Sequence, residues 1–530
     1  MSQMQQEIDR RRTFAIISHP DAGKTTLSEK LLLYGGAIQK AGMITKKANR
    51  AQTASDWMDI ERSRGISISS SALKFEWNGT VYNLLDTPGH EDFSEDTYRT
   101  LLAVDSAIML LDGAKGVEPQ TVKLFKVCRE RGIPIFTFIN KMDRPGKSPF
   151  DLLEELEEVL GIVAAPMTWP IGDTGAFKGV YDRQTGSVHM YERTVGGQWK
   201  APVVSTSIDD PQLAGILGDS DTNRLRDDLE MVEEMMHPFE EESFNEGEIT
   251  PVFFGCALNN FGIEHFLTEF TERAPKPAAL ATTTGPLDPV SSPFSGFVYK
   301  VQANMNPMHR DRMAFIRVAT GRFEKNMSVK HLRSGRKVKL SFPYRLFGQK
   351  REIIEEAFPG DIVGLVNPGT FKVGDVLTAG KAFQMPSFPR FAPELFARVT
   401  LVDTSQSKSF RKGLEQLGEE GVVQIFRDPN RVANLPIVAA VGQLQLEVFR
   451  ERMRVEYRSE VRLDVLEYGS SRWIGSEIVN PERYTFSMMY DEDENAVALF
   501  RNEWHMNQVI SNEPDMKFLT HPPDAIRLDD

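Results

Sequence analysis

Short apolar runs alternate with amphipathic segments along the first half of the chain. The runs at 14–17, 80–85, 106–111, 133–139 and 249–255 have the length and composition of buried strands, and helical patterns follow several of them. Strands that are separated by helices usually pair in parallel, with the helices packed on both faces of the sheet. The pattern therefore predicts a mostly parallel α/β domain over residues 1–274.

The second half of the chain has two other patterns. Residues 294–385 contain short β-rich runs, among them a strand predicted at 338–342, separated by Gly-containing turns, and this pattern predicts a small antiparallel β-barrel. Residues 386–530 begin with the order β-α-β-β-α-β, which predicts a ferredoxin-like α+β domain. Residues 275–293 are rich in Pro and Ala and are predicted to be a linker. We interpret residues 169–248, whose second half is acidic, as an inserted subdomain without chemistry.

Composition narrows the functional classes. With 530 residues and 41% hydrophobic content, the chain has room for about three domains. Its net charge of −13 argues against a general nucleic-acid-binding protein, although it is compatible with a local basic face. Residues 330–351 carry eight Lys or Arg and no acid. This basic run is explained equally well by contact with a polyanion and by a pair of solvated strands.

No signal peptide or membrane-spanning run is evident, and two cysteines form no metal cluster, so we expect a cytoplasmic protein without membrane contact.

A candidate phosphate-binding loop follows the first apolar run. It reads Ser18-His19-Pro20-Asp21-Ala22-Gly23-Lys24-Thr25 and opens a helical segment. At such a helix start, backbone N–H groups bind phosphate, the lysine reaches the β- and γ-phosphates, and the Thr25 hydroxyl binds Mg²⁺. Ser18 stands where the usual pattern has Gly, so a chance Gly-Lys-Thr at an ordinary turn is the alternative.

A second motif follows the strand predicted at 80–85 and reads Asp86-Thr87-Pro88-Gly89-His90. A carboxylate at the end of a parallel strand can hold Mg²⁺ through water, and Gly89 can offer its N–H to the γ-phosphate. His90 is a candidate for orienting the attacking water, although a lone histidine is more often a surface or packed residue. The Ser67 hydroxyl, after the polar stretch 40–64, is a further candidate ligand of Mg²⁺.

A third motif predicts which base is bound. Asn140-Lys141-Met142-Asp143 follows the strand at 133–139, and the Asp143 carboxylate can accept two N–H bonds from guanine, which adenine cannot supply. We expect Lys141 to lie along the base and Asn140 to brace the loop. The segment Cys256-Ala257-Leu258 follows the last strand, and a backbone N–H near Ala257 is predicted to meet the guanine O6. The predicted ligand is therefore GTP.

Together these motifs resemble those of the translational GTPases, the elongation-factor-G-like family. The segment Arg64-Gly65-Ile66-Ser67-Ile68 and the barrel segment His309-Arg310-Asp311-Arg312-Met313-Ala314-Phe315 are also similar to that family. Three longer strings resemble the bacterial members that act in translation termination, and the similarity extends to about residue 470. These strings are Ser55-Asp56-Trp57-Met58, Gly89-His90-Glu91-Asp92-Phe93-Ser94-Glu95-Asp96-Thr97-Tyr98-Arg99-Thr100 and Phe391-Ala392-Pro393-Glu394-Leu395-Phe396.

The resemblance implies a site and a role. GTP or GDP would bind residues 18–25, 86–90 and 140–143, with Mg²⁺ held by Thr25 and Ser67 and, through water, by Asp86. His90 would align the hydrolytic water once ribosomal RNA positions it. The implied role is a ribosome-stimulated GTPase, expected to be a monomer, which dissociates and recycles class I release factors after peptide release. Pro20 departs from the family, which places a hydrophobic gate residue there.

Other functions are alternatives to the recycling of release factors. An elongation-factor-G-like translocase needs further domains, whereas only about 60 residues follow the third predicted fold. A ribosome-rescue GTPase is a second alternative within the family. From other classes, a GTP-dependent interaction switch or a phosphotransferase could use the same loop, but no acceptor-activating Asp or Glu is evident near it.

Overall fold

The computed structural model of the protein describes residues 2–38, 71–88, 90–172, 175–192, 200–201, 203–283, 285–303, 312–347, 350–385, 390–428, 436–476, 478 and 485–523. We call residues up to 274 the N-terminal region, 294–385 the middle region and the residues from 386 the C-terminal region. In the part of the chain that is described, no helix is both long and apolar enough to cross a membrane.

The N-terminal region is built on a seven-stranded sheet with the order β2-β3-β1-β4-β5-β11-β6. All neighbouring strands pair in parallel except β2 and β3. The strands are β1 Arg11–Ser18, β2 Ser71–Trp77, β3 Thr80–Asp86, β4 Ser106–Asp112, β5 Ile135–Asn140, β6 Val163–Pro166 and, after the insertion, β11 Ile249–Phe254. The helices of this region are α1 Gln3–Asp9, α2 Lys24–Tyr34, α3 Ser94–Leu101, α4 Pro119–Glu130, α5 Pro149–Leu160, α6 Leu213–Leu217, α7 Asp219–Met235, α8 Glu241–Asn245 and α9 Ile263–Arg273.

Helices cover both faces of this sheet, as the apolar runs predict. Every residue of β1 is buried, and its side chains alternate between two cores. Ala15 and Ile17 belong to the core that contains Phe125 of α4, whereas Phe14 and Ile16 belong to the core that contains Phe270 of α9. The predicted mostly parallel α/β fold is confirmed.

The inserted residues form an antiparallel sheet with the order β10-β9-β8-β7. Its strands are β7 Thr168–Ile171, β8 Gly179–Asp182, β9 Ser187–Tyr191 and β10 Val203–Ser207. Trp169 of β7 is fully buried and packs against Phe150 of α5 and Phe254 of β11. The inserted sheet therefore shares a hydrophobic core with the main sheet.

The middle region is an eight-stranded antiparallel, barrel-like sheet with the order β16-β15-β21-β12-β13-β20-β17-β18, beside the pair β14 and β19. The strands are β12 Ser295–Ala303, β13 Arg312–Thr320, β14 Phe323–Glu324, β15 Ser328–His331, β16 Lys337–Lys339, β17 Pro343–Phe347, β18 Lys350–Ile353, β19 Glu356–Ala357, β20 Ile362–Val366 and β21 Val376–Thr378. The strand expected at 338–342 is wrong in its extent, because Phe342 has a φ of 55° and separates β16 from β17.

The C-terminal region begins with the predicted ferredoxin-like unit. It consists of β22 Leu395–Leu401, α10 Ser407–Glu420, β23 Gln424–Phe426, β24 Ile437–Ala440, α11 Gln443–Val455 and β25 Val461–Val465. The sheet order β23-β24-β22-β25 matches the split βαβ arrangement. A second sheet, β27-β28-β26-β29, packs on it through a core that joins Phe396 and Phe426 to Trp473 and Val497. Its elements are β26 Ser470–Ile474, β27 Ser487–Tyr490, β28 Ala496–Phe500, α12 Glu503–Asn512 and β29 Phe518–Leu519.

One buried ionic cluster joins the N-terminal and middle regions. Asp361, directly before β20, lies 2.9 Å from Arg11 Nε and 2.5 Å from Lys74 Nζ, and all three side chains are largely shielded from solvent. The preceding Gly360 carbonyl accepts hydrogen bonds from Thr13 and Asn83. Burial alone would raise the pKa of Asp361, but the charges of Lys74 and Arg11 lower that pKa well below its usual range.

We expect Asp361→Asn to destabilise the protein strongly, because it leaves Arg11 and Lys74 buried with a missing countercharge. Loss of one partner from a buried ion pair costs roughly 3–5 kcal/mol. Urea unfolding at neutral pH measures this loss. Because the pKa of Asp361 is lower in the folded protein than in the unfolded chain, its carboxylate stabilises the folded state at any pH above the ordinary pKa of 3.8. This stabilisation is lost as the pH falls below 3.8 toward the pKa of the folded state. Equal free energies of unfolding for the wild-type protein and Asp361→Asn at neutral pH would show that this ionic cluster does not stabilise the fold.

Candidate functional site

The predicted site residues follow strands that end at the same edge of the main sheet. In the parallel registers, Ile16 of β1 lies opposite Asp86, and Asp112 of β4 lies opposite Asn140. The carboxyl ends of β1, β3, β4 and β5 are therefore neighbours, as is usual for ligand sites in α/β sheets. Ser67 and Gly89 lie outside the described residues, so their predicted contacts stay predictions.

The loop between β1 and α2 has a tightly constrained backbone. Gly23, immediately before Lys24 at the start of α2, has a φ of 107°, and a Cβ atom built there would lie 2.4 Å from Asn140 Nδ2. Only glycine fits both the conformation and the close approach. Asp21 also has a positive φ, of 67°. His19 turns toward α4, with its Nε2 3.3 Å from Glu118 Oε1.

Several buried polar atoms at this edge have no hydrogen-bond partner among the described residues. Lys24 Nζ lies 3.2 Å from Asp86 Oδ1, and the two side chains are only 7% and 2% exposed. Neither atom has a hydrogen bond of good geometry among the described residues, and the same holds for the buried Ser18 hydroxyl. Buried polar groups in folded proteins normally have at least one hydrogen-bond partner. Lys24 supplies a cation, Asp86 supplies a carboxylate, and the start of α2 supplies backbone N–H groups. Together these groups fit a phosphate group and its metal ion. Thr25 is half-buried in the first turn of α2.

Asn140 connects three loops of the site. Its Nδ2 donates to the Ala22 carbonyl at 2.9 Å, and its Oδ1 accepts from the Ala257 N–H at 2.8 Å. The Ala257 N–H predicted to meet guanine is thus already bonded to Asn140. Leu258, next in the chain, is exposed. Asn140 is 2% exposed, so both ends of its amide depend on these partners.

The remaining residues of the base-reading motif have partners that the sequence analysis missed. Lys141 Nζ lies 2.6 Å from Asp112 Oδ2, and Asp143 Oδ2 accepts from Asn259 Nδ2 at 3.1 Å. Burial and the nearby Asp143 raise the pKa of Cys256 to about 12, so its thiol is neutral. Asp112 could have been found from the sequence, because it ends an apolar strand as Asp86 and Asn140 do. The Met142 N–H donates to the Gly255 carbonyl at 3.2 Å.

His90 lies between the N-terminal and C-terminal regions. Its side chain is 35% exposed, and its Nδ1 lies 3.3 Å from Asp92 Oδ1. The other oxygen of Asp92 accepts the Leu444 N–H at 2.6 Å, at the start of α11. Nearby, Thr87 donates its hydroxyl to the Ile16 carbonyl, and the Pro88 carbonyl accepts from Thr97. The segment that carries His90 is therefore attached both to the main sheet and to the C-terminal region.

Three models of known protein families match the three regions of this chain. Residues 9–276 match the sequence model described as the Elongation factor Tu GTP binding domain, residues 293–380 match Elongation factor G domain 2, and residues 385–510 match the Class II release factor RF3, C-terminal domain. A peptide chain release factor 3 from Symbiobacterium thermophilum is 52% identical over 98% of this chain and 99% of its own length. The chain belongs to the peptide chain release factor 3 family.

Another member of this family is similar in sequence over nearly the whole chain. The peptide chain release factor 3 of Synechococcus elongatus is 49% identical over 99% of this chain and 95% of its own length. A solved structure from Thermus thermophilus has a TM-score of 0.70 at 22% identity, covering 88% of this chain and 68% of that one, and it supports the fold alone.

Family membership confirms three predictions of the sequence. The protein is a translational GTPase, it binds guanine nucleotide, and it acts in translation termination. It is therefore expected to interact with the ribosome, and the translocase alternative is not favoured.

We expect Asn140→Ala to weaken guanine-nucleotide binding, because the loops that carry Ala22 and Ala257 lose their common partner. Each buried group left unpaired costs about 1–3 kcal/mol. Titration with a fluorescent GDP analogue measures the affinity. Asn512→Ala, at an exposed position at the end of α12, is the matched control. Unchanged GDP affinity in Asn140→Ala would show that these hydrogen bonds do not position the site.

Proposed function

We propose that the protein binds GTP and Mg²⁺ at the carboxyl edge of its main sheet, and that hydrolysis on the ribosome drives dissociation and recycling of class I release factors after peptide release. The observation that supports the site is a group of buried side chains beside the start of α2, the Lys24–Asp86 ion pair and Ser18, whose polar atoms have no hydrogen bond of good geometry among the described residues. The match of the C-terminal region to a release-factor domain carries the role.

The residues of the chain have distinct parts in this proposal. The backbone N–H groups around Gly23 and the Lys24 ammonium bind the phosphates. Thr25 and Ser67 would hold Mg²⁺ through their hydroxyl oxygens and Asp86 would hold it through water, and the ion would neutralise charge on the phosphates. Asp143 accepts the two guanine N–H groups, and Lys141 packs along the base. The backbone near Ala257 faces the guanine O6.

His90 is proposed to orient the water that attacks the γ-phosphorus, breaking the bond to GDP and releasing phosphate. In the structure His90 turns its Nδ1 toward Asp92, which also bonds the start of α11. A movement of the C-terminal region on the ribosome would therefore reach His90 through Asp92. We propose that ribosome binding activates hydrolysis by repositioning His90 in this way.

Several further assignments belong to the same proposal. The protein acts as a monomer, in the cytoplasm where ribosomes translate, and without DNA or membrane partners. The boundaries 1–274, 294–385 and 386–530, with the linker 275–293, remain predictions of where its domains divide.

The experiment that tests the role is multiple-turnover peptide release. Termination ribosomes are supplied in excess over a class I release factor, with this protein and either GTP or its non-hydrolysable analogue. We expect repeated rounds of release only with GTP and the wild-type protein. Hydrolysis of GTP on ribosomes without faster recycling would contradict the termination role while leaving the GTPase intact.

The same assay tests His90. We expect His90→Ala to bind GTP normally and to lose about 10²- to 10⁴-fold in ribosome-stimulated turnover, because the water is no longer oriented. His237→Ala, at an exposed position between α7 and α8, is the matched control and should behave as wild type. Undiminished turnover in His90→Ala would remove this residue from the mechanism.

A further inference from the structure

Three side chains able to bind a metal ion meet where the inserted sheet contacts the N-terminal region. Asp182 ends β8, His189 lies in β9 and His265 lies in the first turn of α9. One ligand atom from each of them lies within 4.8 Å of the other two. β8 and β9 are consecutive antiparallel strands, whereas α9 lies far along the chain, so the grouping is produced by the packing of the inserted sheet against α9.

His265 supplies the clearest sign that the cluster accepts a ligand. Its Nε2 is buried and has no hydrogen-bond partner among the described residues, and its ring centroid lies 5.3 Å from that of His189. An imidazole nitrogen that makes no hydrogen bond is available to a metal ion.

The other two side chains are held in orientation by outer partners. His189 Nδ1 is 2.8 Å from the Ser205 hydroxyl in β10, which leaves Nε2 as the nitrogen able to bind an ion. Asp182 is 3% exposed, and its carboxylate accepts the Gln184 N–H at 2.9 Å and the Thr185 hydroxyl at 2.5 Å. Hydrogen bonds of this kind fix the tautomer and direction of metal ligands.

We propose that Asp182, His189 and His265 bind one divalent transition-metal ion, most readily Zn²⁺, which fastens the inserted sheet to α9. Two imidazoles and one carboxylate suit zinc, whereas magnesium and calcium prefer oxygen ligands alone. Three protein ligands leave a fourth position for water. Ligands about 2.0–2.2 Å from a tetrahedral ion lie about 3.4 Å apart, so a bound ion would draw the three ligand atoms, now within 4.8 Å of one another, closer together. None of these three residues belongs to the proposed GTP site.

The test uses the full chain without a polyhistidine tag, loaded with GDP and Mg²⁺ so that the nucleotide site is filled, and freed of other metals by a chelator. Binding is measured by calorimetry with Zn²⁺ and by the visible absorption of Co²⁺, which reports coordination by nitrogen. Thermal unfolding with and without Zn²⁺ is a second readout. The variants are His265→Ala, His189→Gln and Ser205→Ala, with His237→Ala as the matched control.

We expect one equivalent of Zn²⁺ to bind and to raise the unfolding temperature of the wild-type protein. His265→Ala and His189→Gln should each abolish the Co²⁺ spectrum, Ser205→Ala should weaken Zn²⁺ binding about 10- to 100-fold, and His237→Ala should change nothing. Because His189 is partly exposed, its variant should fold even if His265→Ala does not. Absence of binding, or binding that both histidine variants retain, would overturn the proposal and make the cluster an ordinary pair of packed histidines.

Discussion

The two hydrogen bonds of Asn140 are the interaction on which the nucleotide site depends. One bond holds the phosphate loop through Ala22, and the other holds the loop after β11 through Ala257. The same side chain lies so close to Gly23 that no other residue fits there. A single buried amide therefore connects the loop proposed to bind phosphate with the loop proposed to read the base. This arrangement works only because parallel strands bring their carboxyl ends to one edge.

Contacts between regions connect this site to the rest of the molecule. Asp361 and Gly360 attach the middle region to β1 and β2 through buried polar contacts, and Asp92 attaches the segment of His90 to the start of α11. Gly442, just before α11, lies so near that a Cβ atom there would meet Asp92. The segment that carries His90, a residue of the proposed nucleotide site, is thus bonded to the region that matches a release-factor domain.

Much of this could be predicted from the sequence because its signals are local. The buried strands have apolar runs, the loop before Lys24 has its glycine, and the ferredoxin-like order is visible in the periodicity. Partners that are distant in sequence could not be predicted, because they depend on packing: Asn259 for Asp143, Leu444 for Asp92, and the meeting of Asp182, His189 and His265. The insertion, interpreted as having no chemistry, carries two of these three possible ligands. Phe342 broke a predicted strand because its backbone conformation is not visible in an apolar pattern.

The most direct test of the central claim is to change the base that the site reads. Asp143→Asn replaces an acceptor of guanine N–H groups by an amide that can donate to the extra carbonyl of xanthine. We predict that the wild-type protein recycles release factors with GTP and not with xanthosine triphosphate, and that the variant does the reverse, since a site built for a hydrogen bond rejects a ligand lacking it by roughly 10⁴-fold. A variant that still recycles with GTP as the wild type does would show that Asp143 does not select the nucleotide.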